Sequence, residues 1–197
     1  MQEIINEAAL LVLLNAQMSY PLFKEDKTLL STTKLPFYKE YVLVKAKTFS
    51  TIPSVEINFL WSEKGNRVIK IDGDKDCFFD NVEALKPHIT PQTAVAYIKF
   101  VLGSVYDDNG AIRVCERVED IKFSSNPSDS QRLFLNKNIK PATIAERNRM
   151  IVVNCNIVYG TSLYRAEIEL QYNGMFDITK EECLGSNIEP LRTIFLK

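Results

Sequence analysis

Hydrophobic and polar positions alternate in two blocks of the chain, and helical spacing appears in two others. Val42, Val44, Ala46 and Thr48 alternate with Leu43, Lys45, Lys47 and Phe49. Val55, Ile57, Phe59 and Trp61 alternate with Glu56, Asn58, Leu60 and Ser62. A period of two predicts half-buried strands. Lys64-Gly65-Asn66 then predicts a hairpin turn into a strand from Arg67 to Ile71.

The C-terminal part repeats the pattern. Ile151, Val153, Cys155, Ile157 and Tyr159 form one face of a strand. After Gly160-Thr161-Ser162, Tyr164, Ala166, Ile168 and Leu170 form a buried face, with Arg165, Glu167 and Glu169 turned outward. Asn173-Gly174 predicts a two-residue hairpin turn, and Met175 to Thr179 a third strand. Strands joined this tightly are antiparallel, because a parallel pair needs a long crossover.

Helical spacing marks two segments. Residues 2–18 predict an N-terminal helix with Ile4, Ile5, Ala8, Leu11 and Val12 in phase. Leu10, Leu13 and Leu14 extend the apolar surface nearly all round, so the helix is expected to be covered on most sides. Ala94, Ile98, Val101, Leu102 and Val105 form a stripe behind Thr90-Pro91, an N-cap followed by proline at the first helical position. Asp107-Asp108-Asn109-Gly110 ends that helix, and Ile112, Val114 and Val118 continue as a strand. Lys24 to Lys34 reads as a polar connection. The Ser-rich stretch opening at Ser124 reads as a mobile loop over about 124–148.

The resulting fold class is α+β: a curved antiparallel sheet with one or two packed helices, in the manner of cystatin-like or NTF2-like folds. With 197 residues and no linker composition, the chain reads as a single domain over 1–197.

Charge changes the functional picture by subtraction. Lys plus Arg is 24 and Asp plus Glu is 25, which argues against a nucleic-acid partner. The apolar run 8–14 is too short to span a bilayer and follows no basic residue, so neither a membrane span nor a secretory signal is expected. Cys77, Cys115, Cys155 and Cys183 form no C-x-x-C pair. Reduced thiols and a cytoplasmic location follow.

Candidate chemistry is sparse. His88 is the sole histidine, which forbids a histidine-cluster metal site. The seven glycines build neither phosphate-cradling motif. The most specific pattern is acidic. With Asp72 as position 1 of a calcium loop, Asp74, Asp76, Asp80 and Glu83 fall at positions 3, 5, 9 and 12. Against this, Cys77 occupies the position where glycine makes the sharp turn, and a strand precedes the loop. The preferred reading is an acidic turn leaving a strand, with Asp80 or Asn81 capping a short helical turn. A weak calcium site at Asp72, Asp74, Asp76 and Glu83 is the minority one. No catalytic residue and no other cofactor is expected.

Four motifs stand in a recognisable order: Phe37-Tyr38-Lys39-Glu40-Tyr41-Val42-Leu43-Val44; Ile69-Lys70-Ile71-Asp72-Gly73; Leu85 to Phe100 with its Ile89-Thr90-Pro91; and Val158-Tyr159-Gly160-Thr161-Ser162-Leu163-Tyr164-Arg165-Ala166 leading to Asn173-Gly174-Met175. Over about residues 36–184 the chain resembles an uncharacterised family of bacterial cytoplasmic proteins. The resemblance rests on turns, a cap and core strands, and implies no activity. The expected function is a non-enzymatic protein-binding or interaction domain, with a protein partner or self-association. The alternative is a small-molecule-binding or hydrolytic protein with a pocket enclosed by the sheet.

Overall fold

A computed structural model describes residues 7–191. The chain is α+β with antiparallel sheets, and its contacts cluster in two compact units that divide between Asp72 and Gly73. Composition marks no boundary there, because the division falls within an acidic turn and not in a Pro- or Gly-rich linker. The expected single curved sheet is instead two open sheets, of four and five strands, and a two-stranded hairpin. Alternation identifies the two faces of a strand but not which strands share hydrogen bonds.

In the first unit, helix α1 (Glu7–Asn15) precedes a four-stranded meander: β1 (Thr28–Lys34), β2 (Val42–Thr48), β3 (Val55–Ser62) and β4 (Arg67–Lys70). Positions 2–6 of the expected N-terminal helix lie outside the described residues. The helix ends at Asn15, earlier than Tyr20-Pro21, because the Asn15 side chain turns to bond both the amide and the carbonyl of Phe23, each at 2.8 Å. It is covered on one side only. Leu10, Leu11 and Leu14 pack on Val44, Ala46, Phe59 and Trp61, whereas Val12 is 69% exposed.

Strand β1 lies where a polar connection was expected. Its residues Thr28-Leu29-Leu30-Ser31-Thr32-Thr33-Lys34 carry no alternation, yet they pair in unbroken register with β2, Thr28 with Thr48 through Lys34 with Val42. Backbone pairing and one anchoring contact, Leu30 on the helix-covered face, place the strand.

In the second unit, two single-turn helices, α2 (Asp76–Phe79) and α3 (Val82–Leu85), lead to α4 (Pro91–Ser104). The Thr90 hydroxyl accepts from the Thr93 amide at 3.3 Å, and the Thr93 hydroxyl accepts in return from the Thr90 amide at 2.9 Å. Two orphan donors of the first turn are thereby satisfied. A hairpin follows, β5 (Tyr106–Asp107) with β6 (Gly110–Ala111), then β7 (Arg113–Cys115) and a 3-10 turn at Val118–Asp120.

The region expected to be a mobile loop, 124–148, holds helix α5 (Asp129–Asn138) and strand β8 (Thr143–Arg147). Its first residues, 124–128, and the short connection 139–142 are irregular. Ser128, read as loop composition, is the N-cap: its hydroxyl accepts from the Gln131 amide at 3.3 Å, and Gln131 Oε1 accepts from the Ser128 amide at 2.9 Å. The helix was hidden because its buried side is narrow, with Leu135 its one buried residue.

The C-terminal meander forms as expected. Strands β9 (Met150–Tyr159), β10 (Ser162–Leu170) and β11 (Phe176–Gly185) are consecutive and antiparallel in one sheet. On the far edge of β9, β8 pairs with residues 150–154 and β7 with 156–158. Ala166, Ile168 and Leu170 are buried, Tyr164 at the start of that face is only half-buried, and Arg165, Glu167 and Glu169 lie on the other face in ion pairs. The Asn173-Gly174 turn is one residue longer than expected. Gly174 donates to the Gln171 carbonyl and has a φ of 94°, so a three-residue loop ends in a left-handed glycine. A side chain there would meet Pro87 Cγ at 2.5 Å.

Helix α4 lies on the Leu170 face, where Tyr97 meets Phe176 edge to face at 6.3 Å. On the opposite face, at one end, Leu135 and Ile139 join Val158, Leu163 and Ile188 in a separate cluster.

Candidate functional site

That second cluster opens at the surface as a groove. It runs between α5 and residues 185–189 and has a volume of about 480 Å³. Phe123, Phe134, Leu135 and Ile188 supply apolar lining; Ser125, Ser130, Gln131 and Asn187 supply hydroxyls and amides.

Two local devices shape it. Gly185 is the first. A Cβ at that position would lie 2.6 Å from Phe134 Cζ, so glycine lets the aromatic ring rest on the β11 backbone. Gln131 is the second. It caps α5 through its side-chain oxygen, and its Nε2 donates to the Asn187 carbonyl at 2.9 Å. One side chain therefore sets both the start of the helix and the position of the facing segment. That segment is strapped further at Ser124, whose amide donates to the Glu189 carbonyl at 3.0 Å, and at Leu191, whose amide donates to Lys122. Beyond Phe123 and Pro127 lies a more polar hollow, with Glu119, Asn126 and Arg132 among its lining residues.

Among the residues lining the groove, Glu189 is the one titratable side chain, and its Oε2 accepts from the Ser125 hydroxyl at 3.4 Å. Such a lining suits shape and hydrogen-bond recognition of a partly apolar ligand.

The shifted titratable groups lie elsewhere, in ion pairs and buried positions. Lys99 Nζ donates to Glu116 Oε2 at 2.6 Å and holds that carboxyl below its usual range; the Ala142 amide donates to the other oxygen at 3.2 Å. Burial opposes ionisation of Asp120, but the Glu116 amide and the Arg117 side chain outweigh it and keep its pKa low. The Tyr159 hydroxyl donates to Asp107, lowering the Asp107 carboxyl and raising its own pKa, which fastens the β5–β6 hairpin to β9. Burial pushes the Cys115 and Cys155 thiols up to about 12, so neither is a thiolate at neutral pH. All four cysteines are free.

The acidic pattern is spread along an exposed turn. Asp72, Asp74, Asp76 and Glu83 are all exposed. Asp74 Oδ1 accepts from the Asp76 amide at 3.2 Å, and Asp76 opens α2, which carries Asp80 at its C-terminal end. Asn81 stands at the N-terminus of α3 but makes no side-chain cap there. Among the described residues, no three His, Cys, Asp or Glu side chains form a group able to hold a metal ion. His88 is exposed before α4.

Hydrophobic periodicity does not reveal the groove. Its apolar residues belong to α5, to the segment before it and to the C-terminal segment, none of which shows periodicity. The available signal was Ser128-x-x-Gln131, a capping-box spacing. Among the described residues, no helix is long and apolar enough to cross a membrane. No family model, no curated protein and no solved structure matches this chain.

Proposed function

We propose that this chain is a non-enzymatic protein-binding module, and that the groove beside α5 receives a short, uncharged, partly apolar segment of a protein partner. The observation that carries this reading is the lining itself. An aromatic and aliphatic floor is bordered by hydroxyls and amides, and both walls are fixed by Gln131. An extended peptide needs both: apolar side chains to seat and a polar border for its backbone. The free thiols support a cytoplasmic setting. Helices laid on open antiparallel sheet support the comparison with cystatin-like or NTF2-like packing.

The test is a titration of the isotope-labelled chain with acetylated, amidated peptides bearing Leu and Phe among Ser and Asn. Amide shifts are expected at Gln131, Phe134, Asn187 and Ile188. Phe134→Ala should weaken binding at least tenfold while α5 stays helical. Shifts centred elsewhere, or an unchanged affinity in Phe134→Ala, would overturn the assignment.

A further inference from the structure

We infer that β1 is a self-recognition edge, through which two copies of this chain join their four-stranded sheets antiparallel about a two-fold axis at Ser31. This inference is independent of the groove.

Strand β1 ends its sheet, and Ser31 to Lys34 are exposed on both faces. Its free edge carries none of the usual protections. Residues 28–33 include no charge, no proline and no glycine, and pairing with β2 runs through seven positions without a bulge. Leu29 is 64% exposed in the middle of this uncharged run.

Hydrogen-bond parity sets the register open to a second copy. The Phe49 amide donates to the Lys27 carbonyl, so positions 27 and 49 form a bonded pair. Bonded pairs recur every second residue in an antiparallel ladder. Leu29, Ser31 and Thr33 therefore bond to β2, and the N–H and C=O groups of Thr28, Leu30, Thr32 and Lys34 point away from it. An antiparallel copy centred on Ser31 places Thr28 opposite Lys34 and Leu30 opposite Thr32. Each of these is an outward residue facing an outward residue. All seven positions are used, and about eight backbone hydrogen bonds form.

Charge agrees with this orientation. Lys34 is the only charge in the strand, and the two copies of it fall at opposite ends of the seam. Each lies beside the other copy's turn Lys24-Glu25-Asp26-Lys27, which carries no net charge. A parallel arrangement would set Lys34 beside Lys34. Leu29 falls opposite Thr33 and is shielded from water on one side.

The decisive positions can be altered without touching the core. Ser31 is exposed and meets its own copy, so Ser31→Lys sets like charges directly opposite each other. Thr32 directs its N–H outward, so Thr32→Pro removes a seam donor and leaves the β2 ladder intact. Sedimentation of the full chain should show concentration-dependent doubling of mass. Both variants should abolish it while keeping the wild-type circular dichroism and the melting temperature that the wild type has at concentrations where it is monomeric. The register is read by oxidation in a Cys183→Ser background. Ser31 pairs with itself at a non-hydrogen-bonded site, where the Cα atoms approach to about 4.5 Å. Ser31→Cys should thus cross-link into a dimer at least tenfold faster than Thr33→Cys, which faces Leu29. A wild-type chain that stays monomeric, a dimer that survives Ser31→Lys, or equal cross-linking at 31 and 33 would each overturn the inference.

Discussion

Strands β1 and β11 both end a sheet, but they present opposite kinds of edge. β11 is ten residues long and exposed along most of its length, which makes it the larger hazard. It carries Lys180, Glu181 and Glu182 in its middle, and its register with β10 slips twice, between Leu163 and Tyr164 and between Glu167 and Ile168. Lys180 pairs with Glu167 at 2.9 Å, and Glu182 with Arg165 at 2.9 Å. Charge and bulges together discourage another strand from docking there. β1 has neither. The difference teaches that an unguarded edge is not inevitable in this sequence, since the same chain guards its longer one.

The largest effect is expected where β11 is supported. Ile168 is fully buried and pairs with Ile178 of β11. Ile168→Asp should destabilise the second unit by more than about 3 kcal/mol, because it removes a core side chain and buries a charge. Hydrogen exchange at the β11 amides reads the loss directly. Retained protection there would mean the face assignment is inverted.

A smaller effect tests the guard itself. In a Ser31→Lys background, replacing Lys180, Glu181 and Glu182 with threonine should make β11 resemble β1. Light scattering should then detect association that the parent lacks. If the triple variant stays monomeric, the register slips alone suffice as protection.

The smallest effect is a matter of pH. The Lys180 hydrogen bond, with Arg147 adding to it, holds the Glu167 carboxyl below its usual range. A carboxyl whose folded pKa lies below its unfolded value stabilises the fold above the unfolded value, and that contribution disappears as pH falls through the folded one. Acidification should therefore loosen β11 amides before β1 amides. Glu167→Gln should lower the melting temperature slightly at neutral pH, where that contribution is present, and remove the difference between the two strands at acid pH. Equal loosening of both strands in the wild type would break the link between ion pairing and the β11 edge.

How much could be read in advance follows the same division. The strands β2 and β10 were visible because each has a wetter and a drier face, and β3 and β9 because apolar and polar residues alternate along part of each, although β9 is buried on both faces over most of its length. Helix α4 was visible because its cap and its stripe agree. β1 was invisible: Thr28-Leu29-Leu30-Ser31-Thr32-Thr33 has no period, and its place is fixed by the backbone of β2. Helix α5 was invisible for a related reason, with one buried residue in a polar run. Both parts of the molecule for which binding is proposed thus lie in its least periodic segments.

The sequence by itself determined the α+β class, the tight antiparallel C-terminal meander, the Thr90 cap and the outward set of β10, because each rests on local spacing or on the cost of burying charge. Only the tertiary structure decided that the strands divide into two sheets, that Gly185 lets Phe134 lie on β11, that Gln131 ties α5 to Asn187, and that β1 faces outward with its bonding groups unprotected. Those features depend on contacts between residues far apart in the chain, and local hydrophobic period carries no information about them.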